Sequence, residues 1–169
     1  TLSLHAALPI YLAFVMQGLG TYAIAKSAPD HVRDFWIARA LEGKAIAAFA
    51  LTEPEAGSDV AAIQTTARRD GETYIIDGHK RFISNAGIAD FYTVVARTGE
   101  AAGAKGLTAF VTDADAPGLE ITERIDVIAP HPLATVRFRA CRVPAQRRLG
   151  EPGQGFRVAM ETLDIFRAS

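Results

Sequence analysis

The chain has 169 residues, 49% of them apolar and 22% charged, which is the composition of a globular protein rather than a disordered tail. Eighteen Lys and Arg against 19 Asp and Glu leave a formal charge of −1, so a chain held to nucleic acid by phosphate contacts is not expected. The one cysteine, Cys141, cannot close an internal disulfide, and a reducing compartment is expected. Neither Cys141 nor His5, His31, His79 and His131 shows metal-ligand spacing, so no metal site is expected.

Both ends read as cut: the chain opens on Thr1 rather than Met and closes on Ser169 inside a helical pattern. Residues 1–25 contain no Asp, Glu, Lys or Arg, but Pro9, Gln17, Gly18 and Gly20 interrupt the stretch. A spanning helix needs about 20 continuous apolar residues, and no basic segment marks a signal peptide. A buried helix of a truncated domain is the reading, with no membrane span. Residues 1–10 give no interpretable pattern, and a non-native origin for them stays open.

Residues 11–43 read as helix, turn, helix. Ser27 and Asp30 stand in capping-box spacing with Pro29 in the first turn. Val32, Phe35, Trp36 and Ala40 recur at helical spacing, and Gly43 supplies the stop. From about Lys44 to Gly150 the period becomes two. Asp70-Gly71 and Asp77-Gly78 read as two-residue type I′ turns, so three short strands are expected to meander about Tyr74-Ile75-Ile76. Phe91 to Arg97, Leu107 to Thr112, Leu119 to Arg124 and Leu133 to Arg139 are further strands, with a turn at Pro117-Gly118. Such spacing predicts a barrel or sandwich rather than a parallel sheet. A last helix starts at about Gln154, with Phe156, Ala159, Met160, Leu163 and Phe166 in one stripe and Arg167 in its middle. A charge there must be paired or must face a polar ligand.

Four constellations carry possible chemistry. In Leu51-Thr52-Glu53-Pro54-Glu55-Ala56-Gly57-Ser58-Asp59-Val60 a β-like run, Ala45 to Leu51, enters a hydroxyl-rich turn before a short helical turn. That arrangement either holds a phosphate or polar ring edge, or simply uses Ser58 or Asp59 as a helix cap, the commoner use. In Lys80-Arg81-Phe82-Ile83-Ser84-Asn85, period two puts Phe82 and Ser84 on one face and Ile83 on the other. An aromatic beside a hydroxyl suits a flat heteroaromatic ligand, although a strand aromatic is more often core. Gly18-Leu19-Gly20-Thr21-Tyr22-Ala23 fits G-x-G-x-x-A with Glu42 nineteen residues on, but the dinucleotide reading needs a strand where Pro29 and a fresh cap stand. Arg137, Arg139, Arg142, Arg147 and Arg148 read as a solvated edge that discourages strand pairing.

Taken together, these motifs resemble the acyl-CoA dehydrogenase family of flavoenzymes. The resemblance rests on Phe49-Ala50-Leu51-Thr52-Glu53-Pro54 with Ala56-Gly57-Ser58-Asp59, on Ile76-Asp77-Gly78-His79-Lys80-Arg81-Phe82-Ile83-Ser84-Asn85, and on Gly155-Phe156-Arg157-Val158-Ala159-Met160 with Asp164 and Arg167. It covers about residues 11–169. The fold it implies is α+β: residues 1–43 end an N-terminal helical domain, residues 44–150 form an antiparallel β-barrel middle domain, and residues 151–169 start a C-terminal helical bundle.

The resemblance also implies an FAD-dependent oxidoreductase that dehydrogenates the Cα–Cβ bond of an acyl-CoA thioester, with hydride passing to the flavin. By matching position, Phe49, Leu51, Thr52, Gly57, Ser58, Phe82, Ile83 and Ser84 line the FAD, and Ser58, Asp164 and Arg167 lie toward the acyl-CoA. The implied partners are acyl-CoA and an electron-transfer flavoprotein, the implied assembly is a homotetramer or homodimer, and the implied location is cytoplasmic or the mitochondrial matrix. Two features depart from the family pattern. Phe82 stands where many members carry tryptophan. Phe166 stands where a minority carry the catalytic glutamate, so the base is expected beyond Ser169 and the fragment is expected to be inactive alone. An acyl-CoA oxidase or flavin monooxygenase on the same scaffold, and a non-catalytic β-domain that binds a protein partner, are the alternatives.

Overall fold

A computed structural model of the chain describes residues 4–128 and 131–167. The described residues form helices α1 (Leu4–Ser27), α2 (Asp30–Leu41) and α3 (Gly155–Arg167). Between α2 and α3 run the strands β1 (Ala47–Ala50), β2 (Thr66–Asp70), β3 (Thr73–Ser84), β4 (Phe91–Arg97), β5 (Leu107–Asp113), β6 (Leu119–Arg124), β7 (Leu133–Pro144) and β8 (Arg148–Leu149).

The strands join in the order β6-β7-β3-β2-β4-β5-β8, with β1 parallel to β4 off that path. Most neighbours are antiparallel, as expected; β1–β4 and a single β2–β4 pair at Thr66 and Arg97 are parallel. The sheet is open rather than a closed barrel, with β6 and β8 at the ends of the path.

Period two divides β4 and β5 between two cores. Phe91 and Val95 with Leu107, Ala109 and Val111 join Trp36, Ile24 and Ala159 on the helix side. Tyr92, Val94, Ala96 and Phe110 join Tyr74, Ile76, Val136 and Phe138 on the other side. Both faces of these strands are buried, which is why their sequence is nearly continuous in apolar and β-branched residues.

Two of the residues that interrupt the apolar N-terminal stretch, Gln17 and Gly20, dock α1 on the sheet, and a third, Gly18, packs it against α3. The Gln17 amide donates to Ala45 O (2.8 Å) and accepts from Ala47 N (2.9 Å), satisfying the entry of β1. A Cβ on Gly20 would lie 2.4 Å from Ala47 Cβ, and one on Gly18 would lie 2.5 Å from the Phe166 ring. The G-x-G-x-x-A pattern is therefore a packing surface inside a helix, with Thr93 Oγ1 donating to Gly20 O at 2.9 Å. No helix among the described residues is long and apolar enough to cross a membrane.

Some local expectations shift. α2 begins at Asp30 with Pro29 as its cap and no side-chain cap bond, so Ser27 makes no capping box; the Ser27 carbonyl accepts from Gly150 N instead. At the other end Gly43 takes φ 70°, with Gly43 N bonded to Ala40 O and Lys44 N to Arg39 O. That is the Schellman stop expected of a glycine there. The β2–β3 loop is Gly71-Glu72 rather than Asp70-Gly71: Asp70 pairs with Thr73, and Gly71 carries a positive φ of 59°. Positive φ at the first position alone belongs to type II′. Asp77-Gly78 is not a turn at all. β3 continues through it, with a register shift between Ile76 and Gly78. Gly78 has φ 153° and its Cβ position would fall 2.3 Å from Thr65 Oγ1. The Asp77 carboxylate takes up the irregularity by accepting from Ala140 N at 2.7 Å.

Candidate functional site

The end of β1 and the end of β3 meet around a buried ion pair. Lys80 is fully buried on the inward face of β3, and its ammonium donates to Leu51 O (2.9 Å) and Glu53 Oε1 (2.8 Å). The Glu53 carboxylate also accepts from Gln64 N (2.7 Å) and Thr65 N (3.0 Å). One residue pair thus fastens three stretches of chain: the exit of β1, the entry of β2 and the middle of β3. Burial lowers the Lys80 pKa to about 8, against the pull of Glu53. For Glu53, burial acts upward but is outweighed by Lys80 and the N–H donors, which hold its carboxyl below the usual range.

Next to this pair β3 bulges. Lys80 pairs with Val136 and Ile83 with Ala134, so β3 carries one residue more than β7 between them. Phe82 absorbs the extra residue with φ 58°. An unbroken strand would put Phe82 on the inward face with Lys80; instead Lys80 and Ile83 are both buried and the Phe82 ring is 54% exposed. The Arg81 guanidinium lies 5.1 Å from that ring's centroid and 3.7 Å from Glu123 Oε1. Arg81 N donates to Thr52 O at 2.9 Å, which sets Thr52 beside the bulge.

Ser84 and Asn85 complete the rim. Ser84 Oγ and His131 Nε2 are 2.9 Å apart. Asn85, at φ 63°, donates from Nδ2 to Ala47 O and from its backbone to Pro132 O, each at 2.9 Å. Asn tolerates this left-handed backbone better than most side chains.

Thr52 is thus bonded through its backbone to the strand beside Phe82, with Ser84 two residues further along that strand. The Ile83 side chain is core, 1% exposed, so only its backbone is available to a ligand. Leu51 is likewise buried, and its carbonyl is taken by Lys80. Phe49 is half-buried against the helix-side core. Gly57 and Ser58 lie exposed just beyond a tight Glu53–Ala56 turn, where a Cβ on Gly57 would meet nothing within 4 Å. The helical turn at Val60–Ala62 is a short 3-10 turn, and Asp59 caps it by accepting from Ala61 N at 3.1 Å. Asp164 is exposed on α3, while Arg167 ends that helix and its side chain lies outside the described residues. The five clustered arginines separate: Arg142, Arg147 and Arg148 pair with Asp70, Asp113 and Glu151.

Three functional candidates escaped the sequence reading. Glu53 and Lys80 sit inside recognised motifs but are 27 residues apart, and nothing local marks them as partners. His131 is 47 residues from Ser84, on the lead into β7, with no pattern to announce it.

A family model described as "Acyl-CoA dehydrogenase, middle domain" matches residues 48–141, more than half of the chain. Cyclohexane-1-carbonyl-CoA dehydrogenase of Geobacter metallireducens is 37% identical over 92% of this chain and 41% of its own length. The human mitochondrial short-chain specific acyl-CoA dehydrogenase is 38% identical over 85% of this chain and 35% of its own. Among solved structures, butyryl-CoA dehydrogenase of Megasphaera elsdenii superposes with a TM-score of 0.90 at 34% identity, covering 94% of this chain and 42% of that one. The chain spans about two fifths of the length of such relatives. Lys80 to Asn85 and the loop bearing Thr52 to Asp59 all lie within residues 48–141, and the chain belongs to the acyl-CoA dehydrogenase family.

Proposed function

We propose that the chain is the FAD-binding portion of an acyl-CoA dehydrogenase. In this reading residues 1–43 close an N-terminal helical domain, residues 44–150 are the flavin-binding β-domain, and residues 151–169 open a helical bundle. The observation that carries it is the bulge: β3 takes a left-handed backbone at Phe82, which leaves an aromatic ring exposed next to the residue that bonds the Thr52 segment. A core aromatic has no use for such a conformation, which costs about 1–3 kcal/mol. A planar heteroaromatic ligand does, since it can stack on the ring and be hydrogen-bonded at its edge.

The residues present fit FAD. The Phe82 ring offers a stacking face, and Thr52 and Ser84 offer hydroxyls at a polar edge. The Gly57-Ser58 turn leaves room for close approach of the cofactor, and the backbone of Ile83 lies between the two Phe82 and Ser84 contacts. Leu51 and Phe49 back the site from the core, with Leu51 immobilised by Lys80. Bound FAD supplies the hydride acceptor for oxidation of the Cα–Cβ bond of an acyl-CoA thioester. The chain's own part is to orient the ring and exclude water behind it. Ser58 on the exposed turn, with Asp164 and Arg167 on α3, is assigned to the acyl-CoA side. The α-proton is removed by a glutamate that we do not assign to any residue of this chain. Electron-transfer flavoprotein is the proposed acceptor, a homo-oligomer the proposed assembly, and the cytoplasm or mitochondrial matrix the proposed location.

Flavin retention by the protein made from its complete reading frame tests the reading. The purified protein should be yellow, and Thr52→Ala and Ser84→Ala should each weaken FAD binding by about 1 kcal/mol, the worth of one hydrogen bond. Colourless protein that takes up no added FAD would instead favour a β-domain that binds a protein partner.

A further inference from the structure

The Ser84 hydroxyl has a second neighbour that the cofactor reading does not use. His131 Nε2 stands 2.9 Å from Ser84 Oγ, and His131 comes from the opposite strand's approach, where Ser84 pairs with Leu133. A hydroxyl has one proton and two lone pairs. Whatever His131 does with that proton fixes what Ser84 has left to offer a ligand.

We propose that His131 is a positioning residue that sets the direction of the Ser84 hydroxyl toward the ring of a bound flavin, an inference resting on the flavin reading above. Burial moves the His131 pKa below its ordinary value, so the imidazole is neutral near pH 7. Neutral imidazole carries its proton on one nitrogen only, and the two tautomers give opposite results. With the proton on Nε2, His131 donates to Ser84 Oγ, and the Ser84 proton is free to point at an acceptor on the ring. With the proton on Nδ1, Nε2 accepts the Ser84 proton, and Ser84 presents only lone pairs. An oxidised flavin edge, which is rich in unprotonated nitrogen and carbonyl oxygen, selects the first arrangement. His131 therefore acts through Ser84.

This separates His131 from a residue that merely packs. Its contribution must vanish when the Ser84 hydroxyl is gone, because no path then connects it to the ring. The experiment is a double-substitution cycle on the protein from its complete reading frame, with His131→Leu, Ser84→Ala and the pair combined. It reads the FAD dissociation constant by quenching of flavin fluorescence and the position of the visible flavin band. Thermal melting of the apoproteins checks that each variant folds. His131→Leu should weaken FAD binding roughly three- to tenfold and shift the visible band. In the Ser84→Ala background it should do neither. His131→Gln, whose amide N–H can replace Nε2–H, should restore most of the affinity.

An unchanged dissociation constant in His131→Leu overturns the proposal, as does a loss that persists undiminished in the Ser84→Ala background. Tighter binding in His131→Leu also overturns it, since His131 would then compete with the ring for Ser84. If the unsubstituted protein binds no FAD, the flavin reading itself fails. If it binds FAD and the cycle is additive, that reading stands and the role of His131 falls.

Discussion

At the scale of single residues, the Lys80–Glu53 pair is a buried clamp between distant segments of the chain. Both side chains are at most 4% exposed, and each closes backbone bonds to segments distant in sequence. Removing one partner of such a pair leaves the other charge buried and alone, which costs about 3–5 kcal/mol. Lys80→Met should therefore lose about that much stability in urea unfolding. The pH dependence should move with it. A carboxyl held below its unfolded value of 4.5 contributes stability that is present above that pH and lost as pH falls through the folded value. In Lys80→Met the cation is gone, burial pushes the Glu53 pKa up, and the acid loss of stability should be replaced by protonation of Glu53 at higher pH. An acid unfolding curve for Lys80→Met that matches the unsubstituted protein in midpoint and slope would refute the clamp. The motif residues themselves were legible in the sequence, since Leu51-Thr52-Glu53-Pro54 and Lys80 to Asn85 stand out by composition. Their pairing was not. A lysine on an alternating strand reads as outward-facing, and only a carboxylate brought from 27 residues away makes its burial tolerable.

At the scale of elements, the strands explain both what the pattern revealed and what it hid. β6 came through by alternation because one of its faces is covered, and β4 came through as a continuous apolar run because both of its faces are buried. The helix stop at Gly43 and the apolar stripe of α3 came through for the same kind of local reason. The two irregularities of β3 did not. Asp-Gly favours a hairpin turn, yet at Asp77-Gly78 the strand runs on, because the glycine makes room for Thr65 from another strand's entry. Phe82 takes a left-handed backbone that no aromatic prefers, and only the one-residue mismatch with β7 accounts for it. Gly78→Ala tests the first irregularity. Its Cβ would meet Thr65 Oγ1 at 2.3 Å and Thr65 Cα at 2.7 Å, on a backbone with φ 153°. The backbone atom cannot step aside, so a loss of about 1–3 kcal/mol is expected in thermal or urea unfolding. An alanine variant as stable as the parent would mean that β3 can turn at this point after all. Because Thr65 N is bound to Glu53, the same substitution should, on the proposed flavin reading, also weaken FAD retention through the loop that holds Thr52.

At the scale of the whole molecule, the two cores are unequally covered. The one shared by β3, β6 and β7 is enclosed by strands, whereas the helix-side core continues outward into apolar side chains that meet water. Phe14 is 74% exposed and Leu41 84% exposed, and with Gly18, Thr21, Ile37 and Phe166 they border an apolar cavity of about 230 Å3 between the helices. Contiguous exposed apolar surface of this kind drives association, and a formal charge of −1 provides little repulsion to oppose it. The 169-residue chain on its own should therefore self-associate, with a mass by light scattering that climbs with concentration. Replacing both Phe14 and Leu41 by glutamate should return it to a monomer at the same concentration. Neither side chain is buried, so the melting temperature of that variant should stay near the parent's. Association that survives the double substitution would move the cause elsewhere, and the exposed Phe82 ring is then the next apolar surface to test. On the proposed flavin reading the two surfaces are distinguishable: added FAD should suppress association through Phe82 and leave association through the helices untouched.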